Sequence, residues 1–412
     1  MPILFWFLFA STELSAQSIN TIAGIGTHTG TTFDSGIALE CEFHTLAGIA
    51  FDHHGNIIFS DEFNYKLRKL SPSGIVTTLT GGYGFSGDGG PASAAQITNP
   101  TVVAVDDNDN IYFVDEQNYR VRKIDTSGII STYAGNGIFG SGSYVGVPAT
   151  STSITPEYIT FDHIGNGYIS VGSSVCKVDT AGILTPFAGG GMVGVYADSI
   201  PATSEWFSEI QSVAADKAGN IYIAADSRIR RVDSLGIIYT AALKSTWDFK
   251  FDKHGNIYLI DFGDEHISKI DTSGIITVIA GNGVMGFSGD GGPATAASID
   301  GGAGFDYIAL DSSGNVYITD NDRIREINFS PTAVPEINQE TNEIRLYPNP
   351  ATNNLFVTST SRIKTLELVN PLGQILISQK PGTNNTSLDI SILANGVYFV
   401  MVNGKAYKIV KE

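Results

Sequence analysis

The chain has 412 residues, of which 16% are charged, 42% are hydrophobic and 46 are glycine, and its formal net charge is -18. That length allows more than one domain, and few charges with abundant glycine suit an all-β protein. The negative balance argues against nucleic acid and anionic membranes as partners, since both need basic surface, and suits a secreted chain or one that meets cations. Two cysteines, Cys41 and Cys176, lie far apart and offer neither a disulfide framework nor metal-ligand spacing; both read as small buried apolar residues.

Residues 1–16 open with an apolar stretch too short to span a bilayer and end in a small-x-small run at Ala16. This is the outline of a signal peptide cleaved after Ala16. It lacks a basic start, which an origin slightly upstream would explain. No segment of the chain reads as transmembrane.

Residues 17–330 carry six copies of one pattern: an apolar run ending in Asp, two residues, Gly-Asn, then a second apolar run usually opening Ile-Tyr. The aspartates are Asp52, Asp106, Asp162, Asp216, Asp252 and Asp311, spaced by 54, 56, 54, 36 and 59 residues. A repeat of this size marks one supersecondary unit per copy. In the second copy, residues 101–105 are apolar and β-branched, 106–110 have turn chemistry, and 111–114 form another apolar run. Residues 120–124 alternate charged and apolar, 125–128 are a tight turn, and 129–133 close the unit. Each copy is therefore a four-stranded antiparallel meander, the unit of a β-propeller.

Five copies contain a fourth strand, and the sixth stops after residues 323–328. An unassigned strand lies at the other end: Ile19-Asn20-Thr21-Ile22-Ala23-Gly24 matches Ile276-Thr277-Val278-Ile279-Ala280-Gly281. The N-terminal strand is thus expected to complete the last unit, giving six blades in a closed ring and removing the exposed sheet edges that invite aggregation.

These linked motifs resemble the NHL-repeat family of six-bladed propellers: Asp-x-x-Gly-Asn-Ile-Tyr, the Asn-x-Arg-x-Arg-Lys-Ile-Asp run around Arg120 and Arg122, Ala-Gly-Asn-Gly, and Phe-Ser-Gly-Asp-Gly-Gly-Pro-Ala. The resemblance covers residues 18–330. Three departures stand out. Asp109 occupies a turn position that expects glycine, Val175-Cys176-Lys177 replaces Arg-x-Arg, and the fourth copy has almost no linker after its last strand.

Residues 331–344 read as a polar, proline-containing linker. Residues 345–412 then show short alternating strands, expected to form a small Ig-like β-sandwich. This segment resembles the C-terminal sorting domain of the type IX secretion system of Bacteroidetes. Tyr347-Pro348-Asn349-Pro350, the turn from Asn370 to Gln374, Gly396-Val397-Tyr398-Phe399 and the basic end carry the match. The resemblance implies the type IX machinery as a partner and secretion, or display on the outer surface, by way of the periplasm.

Strand direction sorts the loops. Turns joining first to second and third to fourth strands lie on one face; second-to-third loops and the linkers between units lie on the other. The repeated Asp-x-x-Gly-Asn belongs to the first face, where Asp and Asn fold back on their own backbone and glycine supplies positive φ, so it reads as scaffold. Binding is expected on the other face, where the long irregular loops lie. Its candidate residues are Asp61, Glu62, Asp88, Asp115, Glu116, Asp261, Asp264 and Asp290. Several acids there have cations nearby in sequence: Asp115 with Arg120 or Arg122, Asp226 with Arg228, and Asp320 with Arg323. Asp88 and Asp290 each sit among glycines and are the weak candidates for Ca²⁺, the only cofactor entertained.

An enzyme reading rests on the fold resemblance, which includes Ca²⁺-dependent lactonases and a Zn²⁺-dependent lyase with a metal in the central channel. Here His53, His54, His163 and His254 fall in turns, and only Glu157, Asp248 with Lys250, and Asp306 are placed near the channel. No catalytic or metal-binding residue is assigned. The expected role is a binding scaffold for a protein or glycan; the alternative is a Ca²⁺-dependent, lactonase-like hydrolase or lyase.

Overall fold

The computed structural model describes residues 17–27, 35–140, 145–192, 197–300, 307–329, 344–370, 374–403 and 405–411. The expected signal peptide, Asp306 and nearly all of the expected linker lie outside them. The described residues form β-strands, almost all antiparallel, and single-turn 3-10 segments. They divide into two compact units, Met1–Thr332 and Ala333–Glu412.

Six sheets, each built on four strands, follow one another through the first unit, and three of them gain a short fifth strand from a linker. Sheet two shows the plan: Pro100–Val105, Ile111–Asp115, Arg120–Ile124 and Ile130–Ala134 pair in that order. The first strands of the six sheets neighbour one another in cyclic order, from Leu46–Phe51 round to Ile308–Leu310 and back. Sheet six takes its fourth strand from the start of the chain: Ser18–Ala23 pairs antiparallel with Arg323–Asn328.

Turn chemistry explains why six distant segments fold alike. In each first turn, one carboxylate oxygen of the Asp accepts the N–H groups two and four residues on, and the other accepts the Asn side chain. At Asp52 these bonds are 2.9, 2.8 and 2.6 Å. Asp106, Asp162, Asp216, Asp252 and Asp311 repeat the set. This side-chain mimicry of a turn fixes the hairpin locally. Asp109, where glycine is expected, adopts φ 61° and bonds His53 of the adjacent turn at 2.9 Å.

Every fourth strand carries one extra residue opposite its third strand. In sheet two, Thr132 faces Arg122 and Ala134 faces Val121, so Tyr133 bulges out of the ladder. The equivalent residues are Leu79, Phe187, Ala241, Ile279 and Ile22. Tyr133 packs on Tyr112 and on Phe161 of the next sheet, with ring centroids 4.9 and 5.8 Å away, and so fills that junction.

The second unit consists of a three-stranded and a four-stranded sheet. Leu355, Val357, Leu366, Leu368, Leu388, Val400 and Val402 are fully buried in one core shared by strands of both.

Candidate functional site

The acidic loops expected to bind a ligand are largely engaged inside the scaffold. Arg122 is fully buried and pairs with Asp115 at 3.1 Å and with Asp88 at 2.7 Å. Asp88 also accepts the Thr132 hydroxyl at 2.6 Å. Above this pair the Phe85 ring stacks on Arg120 and Arg122, 3.9 and 4.7 Å from its centroid. The second copy of the motif repeats the arrangement. Arg325 pairs with Asp320 at 2.9 Å and Asp290 at 2.8 Å, and Phe287 covers Arg323 and Arg325. Gly-Phe-Ser-Gly-Asp-Gly-Gly-Pro-Ala is thus a clasp in which a linker's Asp and Phe close over the buried arginine of the following sheet. Both Asp88 and Asp290 lie at an arginine as well as among glycines. The partner of Asp320 is Arg325 rather than Arg323, and Asp226 accepts the Ser208 N–H and hydroxyl.

The other candidates are placed as follows. Asp61 is fully buried on Arg68 at 2.9 Å. Asp261 is buried beside Lys244 at 2.5 Å and accepts the Ser268 hydroxyl. Asp264 and Glu116 are exposed. Burial pushes the carboxyls of Asp61, Asp115 and Asp320 upward, against the pull of their arginines and backbone N–H donors.

Glu62 differs from these. It is 3% exposed, its Oε1 accepts the Asn99 amide at 3.4 Å, and its Oε2 has no hydrogen-bond partner among the described residues. Burial, then the neighbouring Glu116 charge, raises its carboxyl to about 7. The folded state therefore holds this proton more tightly than the unfolded chain. Stability falls as pH rises from the ordinary glutamate range through 7, and the penalty is absent at lower pH. Glu62→Gln is expected to raise the thermal midpoint by a few degrees at pH 8 and leave it unchanged at pH 4. An equal shift at both values would show that the charge of Glu62 is not the cause.

First strands of all six sheets line a central cavity of about 270 Å³. Most of the residues lining it are apolar, but polar atoms make up the larger part of its exposed wall, and the charged side chain among them is Lys250. The ammonium bonds Asp248 at 2.8 Å and the Tyr158 hydroxyl at 2.6 Å; Tyr158 in turn donates to Asp248 at 2.5 Å, and Asp248 also accepts the Ile308 N–H at 3.1 Å. These residues belong to sheets three, five and six, so the set ties strands together across the cavity. Burial, then the Asp248 charge, holds the Tyr158 phenol well above its ordinary value, so it stays a proton donor. Glu157 is exposed as a residue while its carboxyl is partly withdrawn from water; that desolvation, with the Glu209 and Glu116 charges and against a backbone bond from Gly172, raises the carboxyl to about 6. Among the described residues no group of three His, Cys, Asp or Glu side chains is arranged to hold a metal ion.

A larger pocket, about 690 Å³, opens on the opposite face, between sheets six and one. Ile22, Phe51, Leu70 and Tyr317 supply its apolar wall, and Asp107 and Glu326 supply acid. Phe51 and Tyr317 meet edge to face, 4.8 Å between centroids. The Tyr317 hydroxyl donates to Glu326 at 2.9 Å and to Asp311 at 3.4 Å. Sequence reasoning treated this face as scaffold because its turns are short and regular. The turns are scaffold, but a cavity lies among four of them, at Asp52, Ser71, Asp107 and Asp311. The sequence signals were Ile22, where Tyr133 stands in sheet two, and Glu326, where the other sheets have Lys or Arg.

In the second unit Tyr347 stacks on Phe356 at 5.7 Å. Asn349 bridges to the last strand, its side chain donating to Lys408 O at 3.2 Å and accepting from Val410 N at 2.9 Å. Pro348 and Pro350 follow cis peptide bonds. Gly396 opens the strand Gly396–Val402, and Tyr398 donates to Ala394 O at 2.9 Å. The residues that carry the resemblance to a sorting domain thus lie at the sheet ends of this unit.

Comparison with known proteins agrees with this division. Residues 81–148 match the model of the Teneurin NHL domain. A Bacteroides thetaiotaomicron protein of unknown function is similar in structure at TM-score 0.54 and 16% identity, over 76% of each chain. An auxiliary nutrient binding protein from the same organism gives TM-score 0.52 and 15% identity, over 75% of this chain and 76% of its own. A gluconolactonase from Xanthomonas campestris aligns at TM-score 0.49 and 11% identity, over 76% of this chain and 90% of its own. No curated protein sequence matches the chain. At these identities the likeness is one of fold. Residues 345–412 match the secretion system C-terminal sorting domain. The chain therefore combines an NHL-repeat β-propeller with a type IX sorting domain, and it is secreted or held at the outer cell surface.

Proposed function

We propose that the propeller is a six-bladed ring closed by the N-terminal strand, and that it serves as a binding module carried out of the cell by an Ig-like sorting domain. The observation that carries this reading is the use of the acidic groups. Asp61, Asp88, Asp115, Asp290 and Asp320 neutralise buried arginines, Asp261 is held by Lys244, and the channel acid Asp248 is tied to Lys250 and Tyr158. Apart from these engaged acids lies a concave pocket with an aromatic wall and an acidic edge, of the size that holds ligands. The ligand, whether free or a group on a protein or glycan, enters there.

Two experiments test this. Immobilised full chain is offered a glycan array and outer-surface protein fractions; a specific ligand should be retained by the wild type and lost by Tyr317→Ala. Stoichiometric Ca²⁺ or Zn²⁺ in the purified chain, together with metal-dependent lactone hydrolysis, would replace the binding reading with the hydrolase one. For export, removing residues 345–412 should trap the propeller in the periplasm. Unchanged appearance in the medium or on the surface would show that another segment directs it.

A further inference from the structure

The pocket between sheets six and one is where the repeat breaks its own charge rule. In the second strand of five sheets stands a tyrosine: Tyr112, Tyr168, Tyr222, Tyr258 and Tyr317. The residue directly across the ladder on the third strand is Lys123, Lys177, Arg231 and Lys269 in the first four of these. Opposite Tyr317 it is Glu326. Sheet one keeps the cation, Lys69, but places Ile58 across from it.

The cations in that column have a common task. Lys123, Lys177 and Lys269 lie 5.5, 6.0 and 5.5 Å from the centroids of Tyr112, Tyr168 and Tyr258, within range of the attraction between a cation and an aromatic face. In sheet six an acid replaces the cation, and among the described residues no Lys or Arg lines the pocket. The bulge residue there is Ile22, an aliphatic side chain like Leu79, Ala241 and Ile279 in sheets one, four and five rather than an aromatic one like Tyr133 and Phe187, so no ring from the fourth strand covers the tyrosine. What sets this junction apart is the charge: Glu326 is the one acid in the column. The result is an aromatic ring, a carboxylate 2.9 Å from its hydroxyl, and a cavity in front of both.

We propose that this pocket binds a small organic cation, an ammonium or guanidinium group on an apolar body, with its charge seated between the Tyr317 ring and Glu326 and its body against Phe51, Ile22 and Leu70. The ligand's cation takes the place that Lys123, Lys177 and Lys269 occupy over their own tyrosines. Phe51, edge-on to Tyr317, supplies a second aromatic surface. Asp107 adds negative charge at the edge and favours the approach of a cation. This assignment rests on the binding reading above and specifies its ligand class.

Isothermal titration of the purified full chain decides it. The probes are phenethylammonium and agmatine, with 2-phenylethanol and 3-phenylpropionate as the neutral and anionic counterparts. Both cations should bind saturably, the alcohol at least tenfold more weakly than phenethylammonium, and the anion not at all. Glu326→Gln should weaken cation binding about tenfold. Glu326→Lys restores the charge found in the other sheets and should abolish binding while leaving the thermal midpoint at or above that of the wild type. Equal affinity for phenethylammonium and 2-phenylethanol overturns the proposal, as does unchanged binding by folded Glu326→Lys. Binding of a blocked lysine peptide with no binding of either free amine overturns it too, because the pocket would then read a partner's side chain. If the cations fail while the array or surface fractions yield a ligand that Tyr317→Ala loses, this assignment falls and the binding reading stands.

Discussion

Replacing Asp115 with alanine is expected to destabilise the propeller by about 3 kcal/mol, because it leaves the guanidinium of Arg122 buried without its buried carboxylate. Arg122 and Asp115 are both fully buried. Asp115 also accepts the Thr98 N–H and the Asn118 amide, at 2.8 and 2.7 Å. Asp88 stays within 2.7 Å of the arginine, but it sits at the surface and 35% exposed, so it compensates only in part. The repeat itself shows the compensated alternative. Sheet three has Val171 where sheet two has Asp115, and Cys176 where it has Arg122; both are buried. Acid and base are absent together. Sheet four keeps its arginine, Arg230, but has Ala225 at the acid position and takes its carboxylate from Glu205 instead, at 3.2 Å. Buried arginine is accompanied by buried carboxylate in each variation, as the cost of desolvating an unpaired charge demands.

The double variant Asp115→Val with Arg122→Cys, which copies sheet three, should therefore be more stable than Asp115→Val alone by about 1 kcal/mol or more. Chemical denaturation of Asp115→Ala and of the four proteins in the cycle measures both quantities. An Asp115→Ala protein as stable as the wild type would mean that the pair contributes nothing to the fold. A double variant no better than the single would mean that Thr98 and Asn118, not Arg122, are what Asp115 serves.

What could be read from the sequence depended on whether the physics was local to one repeat. The Asp-x-x-Gly-Asn turn is self-contained: its carboxylate bonds groups two and four residues away, so strand positions followed from each copy separately. In sheet two the strands lie within one residue of those expected. The acids of the loop face were harder to read, because sequence shows a carboxylate but not the burial that commits it. Asp88 reads in the sequence only as an acid among glycines, since its partner Arg122 lies in the next sheet, 34 residues away. The pocket was least legible of all. It depends on Ile22, Phe51, Tyr317 and Glu326, which come from both ends of the propeller and meet only after the strands close. Its trace in the sequence was an exception within a column of aligned repeats, visible only once the ladder register shows which residues share that column.

Deleting residues 17–26 is expected to exceed any of these substitutions in effect, lowering the thermal midpoint by about 10 °C or more and making the protein prone to aggregate. Ile19 and Ala23 are fully buried, and an isoleucine of that kind contributes about 1.5–3 kcal/mol through its apolar surface. The strand also holds the last clasp in place. Thr21 N–H donates to Asp290 at 3.1 Å, Ile19 exchanges backbone bonds of 3.2 and 2.9 Å with Gly292 and Gly291, and Ala294 N–H reaches Gln17 O at 2.9 Å. Losing these contacts leaves Asp290 without a strand to hold and exposes Arg323–Asn328 as an open edge, whose free N–H and C=O groups are a template for pairing with another chain. A synthetic peptide of residues 17–26 added to the truncated chain should bind that edge and recover part of the lost midpoint, which separates loss of closure from general misfolding. A truncated chain that keeps its midpoint and stays monomeric would mean that the ring does not depend on its N-terminal strand. Recovery by the peptide but not by a scrambled one would show that the closing contacts are those of Ile19, Thr21 and Ala23 in their native register, since a one-residue slip would turn Ile19 out of the core.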